Sequence, residues 1–97
     1  MGWHVVFSIR SRNDLQKIVE WIARDAPAEA ERFGLALISQ AESFANAPHI
    51  GVPMPERPGT RFFPFGQYLI IYRADTAKET VKILRFWHGA RGKRPLR

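Results

Sequence analysis

An α+β fold, with one helical hairpin on one face of a mainly antiparallel sheet in the order β-α-α-β-β-β, is predicted by three features of this 97-residue chain. Apolar residues recur at helical spacing between residues 15 and 45, a Pro- and Gly-rich stretch interrupts residues 46 to 59, and strand-like apolar runs fill most of residues 61 to 88. With 45% hydrophobic residues, the length suits one compact domain over residues 1–97 with one core.

Each element has its own signal. Residues 3 to 9 alternate, with Trp3, Val5 and Phe7 on one face and His4, Val6 and Ser8 on the other, which predicts an opening strand. In Ser11-Arg12-Asn13-Asp14 a hydroxyl can accept from a free backbone N–H and an acid three residues on can reciprocate, so a helix is expected to start there. Its Leu15, Ile18, Val19 and Ile22 form one buried stripe at i, i+3, i+4 and i+7, flanked by Trp21. Pro27 suits the first turn of a second helix, where its missing N–H costs no bond. There Ala30, Phe33, Gly34, Leu37, Ile38, Ala41, Phe44 and Ala45 keep helical spacing, and the small members admit close approach of the partner helix. Pro48, Gly51, Pro53, Pro55, Pro58 and Gly59 then bar a helix or central strand from residues 46 to 59.

Three strands are expected near Arg61 to Phe65, Gln67 to Ala74 and Thr80 to His88, reversing at Gly66 and at Asp75 to Lys78. Simple alternation on the last strand puts Lys82, Leu84, Phe86 and His88 on one face and Val81, Ile83, Arg85 and Trp87 on the other. The sheet would be covered by the helices on one side and only partly on the other.

Charge is divided unevenly along the chain. Residues 1–56 carry five basic and seven acidic side chains, whereas residues 57–97 carry ten basic against only Asp75 and Glu79. A positive field of this kind attracts nucleic acid, phosphate or an acidic protein without selecting among them. The absence of cysteine excludes disulfides and thiolate metal sites and is compatible with the cytosol. No apolar run approaches the roughly 18 residues that cross a bilayer, and Met1 to Phe7 lacks a basic leader, so a soluble, unexported, cytoplasmic protein is expected. His4, His49 and His88 lack metal-ligand spacing, no Gly-rich loop precedes a helix, and Ser8, Ser11, Ser39 and Ser43 lack a nucleophile elbow. No cofactor or metal is expected.

The element order, together with the Asp14-Leu15 helix start, Asp25-Ala26-Pro27 with Ala30, the Pro48 to Gly51 turn, Gly59-Thr60-Arg61, Tyr68 to Arg73, and Ile83-Leu84-Arg85 into His88-Gly89-Ala90-Arg91, resembles the RelE/ParE superfamily of toxins from type II toxin-antitoxin modules. The likeness spans nearly the whole chain, and the His88 to Arg91 ending is most similar to the ParE branch, although Gly92 replaces the acid usual after that Arg. The resemblance implies a toxin that poisons DNA gyrase, is neutralised by a cognate antitoxin in a hetero-oligomer, and binds neither membrane nor cofactor. Target contacts are then expected from Arg85, His88, Arg91, Lys93, Arg94 and Arg97, and antitoxin contacts from Trp21, Leu35, Arg61 and Arg73.

The alternative is the RelE branch, which cleaves messenger RNA on the ribosome. Attack by a ribose 2′-hydroxyl needs a base, cations for the phosphorane and an acid for the leaving oxygen. RelE-like nucleases place one such Arg where this chain has Leu69, between Tyr68 and Ile70-Ile71-Tyr72. Arg73 is four residues away, roughly 13 Å along a strand, too far to substitute. His88 and Arg91 would be the remaining nuclease groups, as proton carrier and phosphate ligand. The structural alternative for this pair is that they tie down the chain end. For Arg61 and Arg85 it is that they pack their stems and pair with a helix carboxylate such as Glu42 or Asp14. A small nucleic-acid-binding module accounts for the basic half, but the chain lacks an aromatic ladder or recognition-helix signature.

Overall fold

The computed structural model describes residues 2–89. A five-stranded sheet in the order β1-β5-β4-β3-β2 carries a two-helix hairpin, with the elements β1 (His4–Phe7), α1 (Ile9–Ala23), α2 (Pro27–Glu42), β2 (Val52–Pro53), β3 (Thr60–Phe65), β4 (Tyr68–Asp75) and β5 (Thr80–His88). β3, β4 and β5 form the antiparallel meander expected from the sequence, while β1 pairs with β5 in parallel. β2 was not anticipated. It is two residues long and lies at the sheet edge opposite Phe62 and Arg61, a place that tolerates Pro53 and its missing N–H.

The helices cover one face. Ile18 of α1, Leu37 and Ala41 of α2, and Phe44 in the 3-10 turn that continues α2 pack on Ile70, Tyr72, Val81, Ile83 and Phe86. Leu15 and Ile22 complete the α1 stripe as partly buried members, and a Cβ on Gly34 would stand 2.9 Å from Val19 Cγ2, so the glycine admits α1 against α2. Phe44 stacks on Tyr72 with ring centroids 4.4 Å apart. On the other face Ile71 and Thr60 are also fully buried.

Two sequence expectations are corrected. α1 starts earlier than Ser11: Ser8 is the N-cap, its Oγ accepting from the Ser11 N–H at 3.0 Å, while buried Ser11 sits in the first turn and donates its hydroxyl to the Ser8 carbonyl at 2.8 Å. Ser8 wins because β1 ends at Phe7 and leaves the next residue extended, at ψ 160°, as a cap requires. The faces of β5 also differ from simple alternation. Tyr72 pairs with Ile83 but Ile71 pairs with Arg85, so Leu84 is a bulge residue. Beyond it parity is reversed, and Phe86 and His88 join Val81 and Ile83 on the helix side.

Candidate functional site

The bulge lies where β5 loses a neighbour. β1 pairs only as far as Phe7 with Ile83, so from Leu84 onward one edge of β5 has no strand beside it among the described residues. The start of α1 takes over: Ser8 donates its N–H to the Ile83 carbonyl and its hydroxyl to the Leu84 carbonyl, both at 3.0 Å. Nearly two turns further on, Asp14 accepts the Phe86 N–H at 3.1 Å. Its carboxylate also receives Arg85 Nε at 2.7 Å and a terminal guanidinium nitrogen at 3.1 Å, a bidentate pair with 12% and 15% side-chain exposure. Arg85 is the charged end of a short stack, its guanidinium carbon 5.2 Å from the Trp87 ring centroid.

Between α1 and the ends of β4 and β5 this arrangement leaves a groove of about 500 Å³. Asp14, Lys17, Ile18 and Trp21 line one wall and Tyr68, Arg85, Phe86 and His88 the other. The wall from α1 is a single helix face, since these residues are spaced i, i+3, i+4 and i+7. Trp21 is 65% exposed at the groove mouth with the Arg24 guanidinium 5.0 Å from its ring centroid. His88 stands edge-on to Tyr68 at 4.9 Å, its Nε2 3.3 Å from Gln67 Oε1, and the Gly89 N–H donates to the Gln67 carbonyl at 2.8 Å. An imidazole, a phenol and an ammonium group on one groove can move protons and hold an anion; the Arg85 charge is already met by Asp14.

Of the sequence-selected residues, Arg85, His88 and Trp21 converge on this groove. Arg91, Lys93, Arg94 and Arg97 lie outside the described residues. Leu35 is 60% exposed on α2, and Arg73 is exposed on β4 opposite Thr60 and Lys82. Arg61 is engaged from within, donating to the carbonyls of His49 at 3.0 Å and Gly51 at 2.8 Å. It holds the loop that precedes β2 against the sheet with Tyr72, whose hydroxyl accepts the Gly51 N–H at 2.8 Å. Burial raises the Tyr72 phenol above its ordinary 10.0, opposed by the Gly51 hydrogen bond and the Arg61 charge. Leu69 sits in the sheet between Pro64 and Trp87.

Sequence reasoning passed over Lys17, took Tyr68 for the edge of the core, and offered Asp14 both to helix capping and as a partner of Arg85, the second of which the structure bears out. The signal was available: Asp14, Lys17 and Trp21 share a face adjoining the Ile18 stripe, so part of that helix face had to border the sheet edge. Among the described residues no three His, Cys, Asp or Glu side chains form a metal-binding group, and no helix is long and apolar enough to cross a membrane.

Known proteins share this architecture. The family model described as the ParE toxin of type II toxin-antitoxin system, parDE, matches residues 5–92. Toxin RelE1 of Caulobacter vibrioides is 28% identical over 89 residues, which cover 92% of this chain and 96% of that protein. Among solved structures, the chromosomal ParDE system from P. aeruginosa matches with a TM-score of 0.76 at 18% identity, over 89% of this chain and 95% of that one. The toxin-antitoxin complex RelBE2 from Mycobacterium tuberculosis matches with a TM-score of 0.69 at 29% identity, over 91% and 99%. Because the family match runs from within β1 to beyond β5, the chain belongs to the ParE toxin family of type II toxin-antitoxin systems.

Proposed function

We propose that this toxin acts by binding DNA gyrase and stabilising its cleaved complex with DNA, rather than by cutting RNA itself. The observation that carries this reading is the state of two positions that could have supplied a nuclease with cations. Leu69, where RelE-like nucleases have an Arg, lies between Pro64 and Trp87 in the sheet, and the Arg85 guanidinium is neutralised bidentately by Asp14. A phosphorane needs cations aimed at its developing charge, and a guanidinium already held by a carboxylate would have to break two bonds to serve. The basic end of the chain, with Arg91, Lys93, Arg94 and Arg97, which follows His88 in the sequence, is the target-facing part of this proposal.

A cognate antitoxin is the second partner, in a toxin-antitoxin hetero-oligomer in the cytoplasm. Exposed Trp21 and Leu35 suit an apolar segment, and Arg73 an acidic one. Arg61 enters such an interface only through the donors not given to His49 and Gly51.

Ribosome-dependent messenger cleavage is the second reading. The 28% identity to Toxin RelE1 favours it, as does the gathering of Lys17, Tyr68 and His88 on one groove. Purified toxin is incubated with gyrase and supercoiled plasmid, and linear DNA is scored after the enzyme is denatured. Linear DNA that vanishes when Arg91, Lys93, Arg94 and Arg97 are replaced together by Gln supports the gyrase reading. Intact plasmid, alongside cleaved messenger in a translating extract, replaces it with the nuclease reading, in which His88 and Arg91 carry the chemistry.

A further inference from the structure

From the geometry at the bulge we infer that Asp14 and Arg85 are positioning residues of this toxin: together they aim the end of β5, and with it His88. The inference rests on the reading that this end of the chain meets the target, and it takes Arg85 out of the set that touches the target directly.

The two edges of β5 are held differently. On one side β4 holds the strand through His88, with Tyr68 opposite, and the Gly89 N–H extends that hold to Gln67. On the other side β1 is spent at Ile83, and the bulge at Leu84 has just changed the strand's twist and parity. A strand leaving a bulge with one edge unpaired by a neighbouring strand is directed by whatever meets that edge. Here α1 and its N-cap meet it: Ser8 meets the Leu84 carbonyl and Asp14 meets the Phe86 N–H. Asp14 thus accepts three hydrogen bonds from two consecutive residues, one from the main chain and two from a guanidinium fork. A fork and an amide arriving together fix the carboxylate in distance and in plane, which a single contact would leave free to rotate. Because the pair is largely shielded from water, salt screens it weakly and it holds its geometry. His88 is two residues further on, packed edge-on against Tyr68.

Asp14→Asn leaves an oxygen for the Phe86 N–H but removes the charge and one acceptor for the fork; Asp14→Glu keeps the charge on a longer arm. Each full-length variant is compared with the unaltered toxin in two measurements: gyrase-dependent plasmid cleavage, and the NMR resonances of the Phe86 amide and of the His88 ring, which the Tyr68 ring current shifts. With Asp14→Asn, cleavage is expected to fall at least tenfold while both resonances move and the Leu37 methyls stay in place. Asp14→Glu is expected to restore most of both. Unchanged cleavage despite moved resonances overturns the inference, and so does lost cleavage with both resonances in place, which would make Asp14 a direct target contact. If the unaltered toxin itself cleaves nothing, the gyrase reading fails; the resonances then still decide whether Asp14 holds the strand end, and static resonances in Asp14→Asn would overturn that.

Discussion

Tyr72 and Tyr68 point from the same face of β4, four residues and roughly 13 Å apart, yet their surroundings are opposite in kind. Tyr72 is fully buried, stacked on Phe44, with its hydroxyl under the Gly51 N–H and Arg61 clasping the same loop through two main-chain carbonyls. Tyr68 stands half-buried between Phe33 and His88 on the wall of the groove, across from Asp14 and Lys17. The first end is closed by main-chain groups, which no partner can replace without unfolding the loop. The second is closed by side-chain charges beside water, which an incoming chain can reach. Along a single strand, this small fold thus separates a region closed by its own main chain from a region left open beside water.

Four substitutions test that separation. Gly51→Ala has the largest expected effect: an added Cβ would lie 2.8 Å from Tyr72 Oη and 2.9 Å from the Phe62 carbonyl oxygen. Stability in urea is expected to fall by about 2 kcal/mol, with plasmid cleavage per folded molecule unchanged; a parallel loss of activity would break the comparison. Tyr72→Phe comes next, costing about 1 kcal/mol at neutral pH for the lost hydrogen bond. It also sharpens the pH dependence. With the folded phenol raised above 10.0, the unfolded chain ionises first as pH rises, binds fewer protons than the native state, and draws the equilibrium towards unfolding. This contribution to stability is therefore complete below pH 10.0 and is lost above it as pH climbs to the folded value, a loss that Tyr72→Phe should lack in denaturation curves taken across that range. The smallest effect on stability belongs to Trp21→Ala and Leu35→Ala, both exposed and each expected within about 0.5 kcal/mol of the original. In co-purification, the same pair should weaken antitoxin capture at least tenfold; undiminished capture would move the partner surface elsewhere.

Much of this was legible in the chain. The Leu15, Ile18, Val19 and Ile22 stripe, Pro27 at a helix start and the three late strands are local signals, and local signals survive when tertiary packing agrees with them. The bulge at Leu84 was not legible, because nothing in Val81 to His88 announces it. It depends on β1 stopping at Phe7 and on Ser8 and Asp14 arriving from 76 and 72 residues away. β2 escaped because two residues, one of them proline, carry no period. At the candidate site, the basic character of the chain end was plain and the pairing of Arg85 with a helix carboxylate such as Glu42 or Asp14 was foreseen, but the choice of Asp14, and the Phe86 N–H that joins it, required the fold. Alternation alone placed Arg85 beside Ile83, on the opposite side from Phe86 and His88; the bulge instead puts Ile83 with those two.

The parallel pairing of β1 with β5 also sets the order in which the toxin can come into being. β5 is an inner strand, flanked by β1 and β4, yet it is the last described strand to be synthesised. Until it emerges, β1 has no strand to pair with and the helices lack Val81, Ile83 and Phe86 to cover. Closing the sheet joins the two ends of the chain, the slowest kind of contact for a small domain to make. Until then a nascent chain presents an apolar helical hairpin without its complete sheet, and the groove, which takes Arg85, Phe86 and His88 of its lining from β5, does not yet exist.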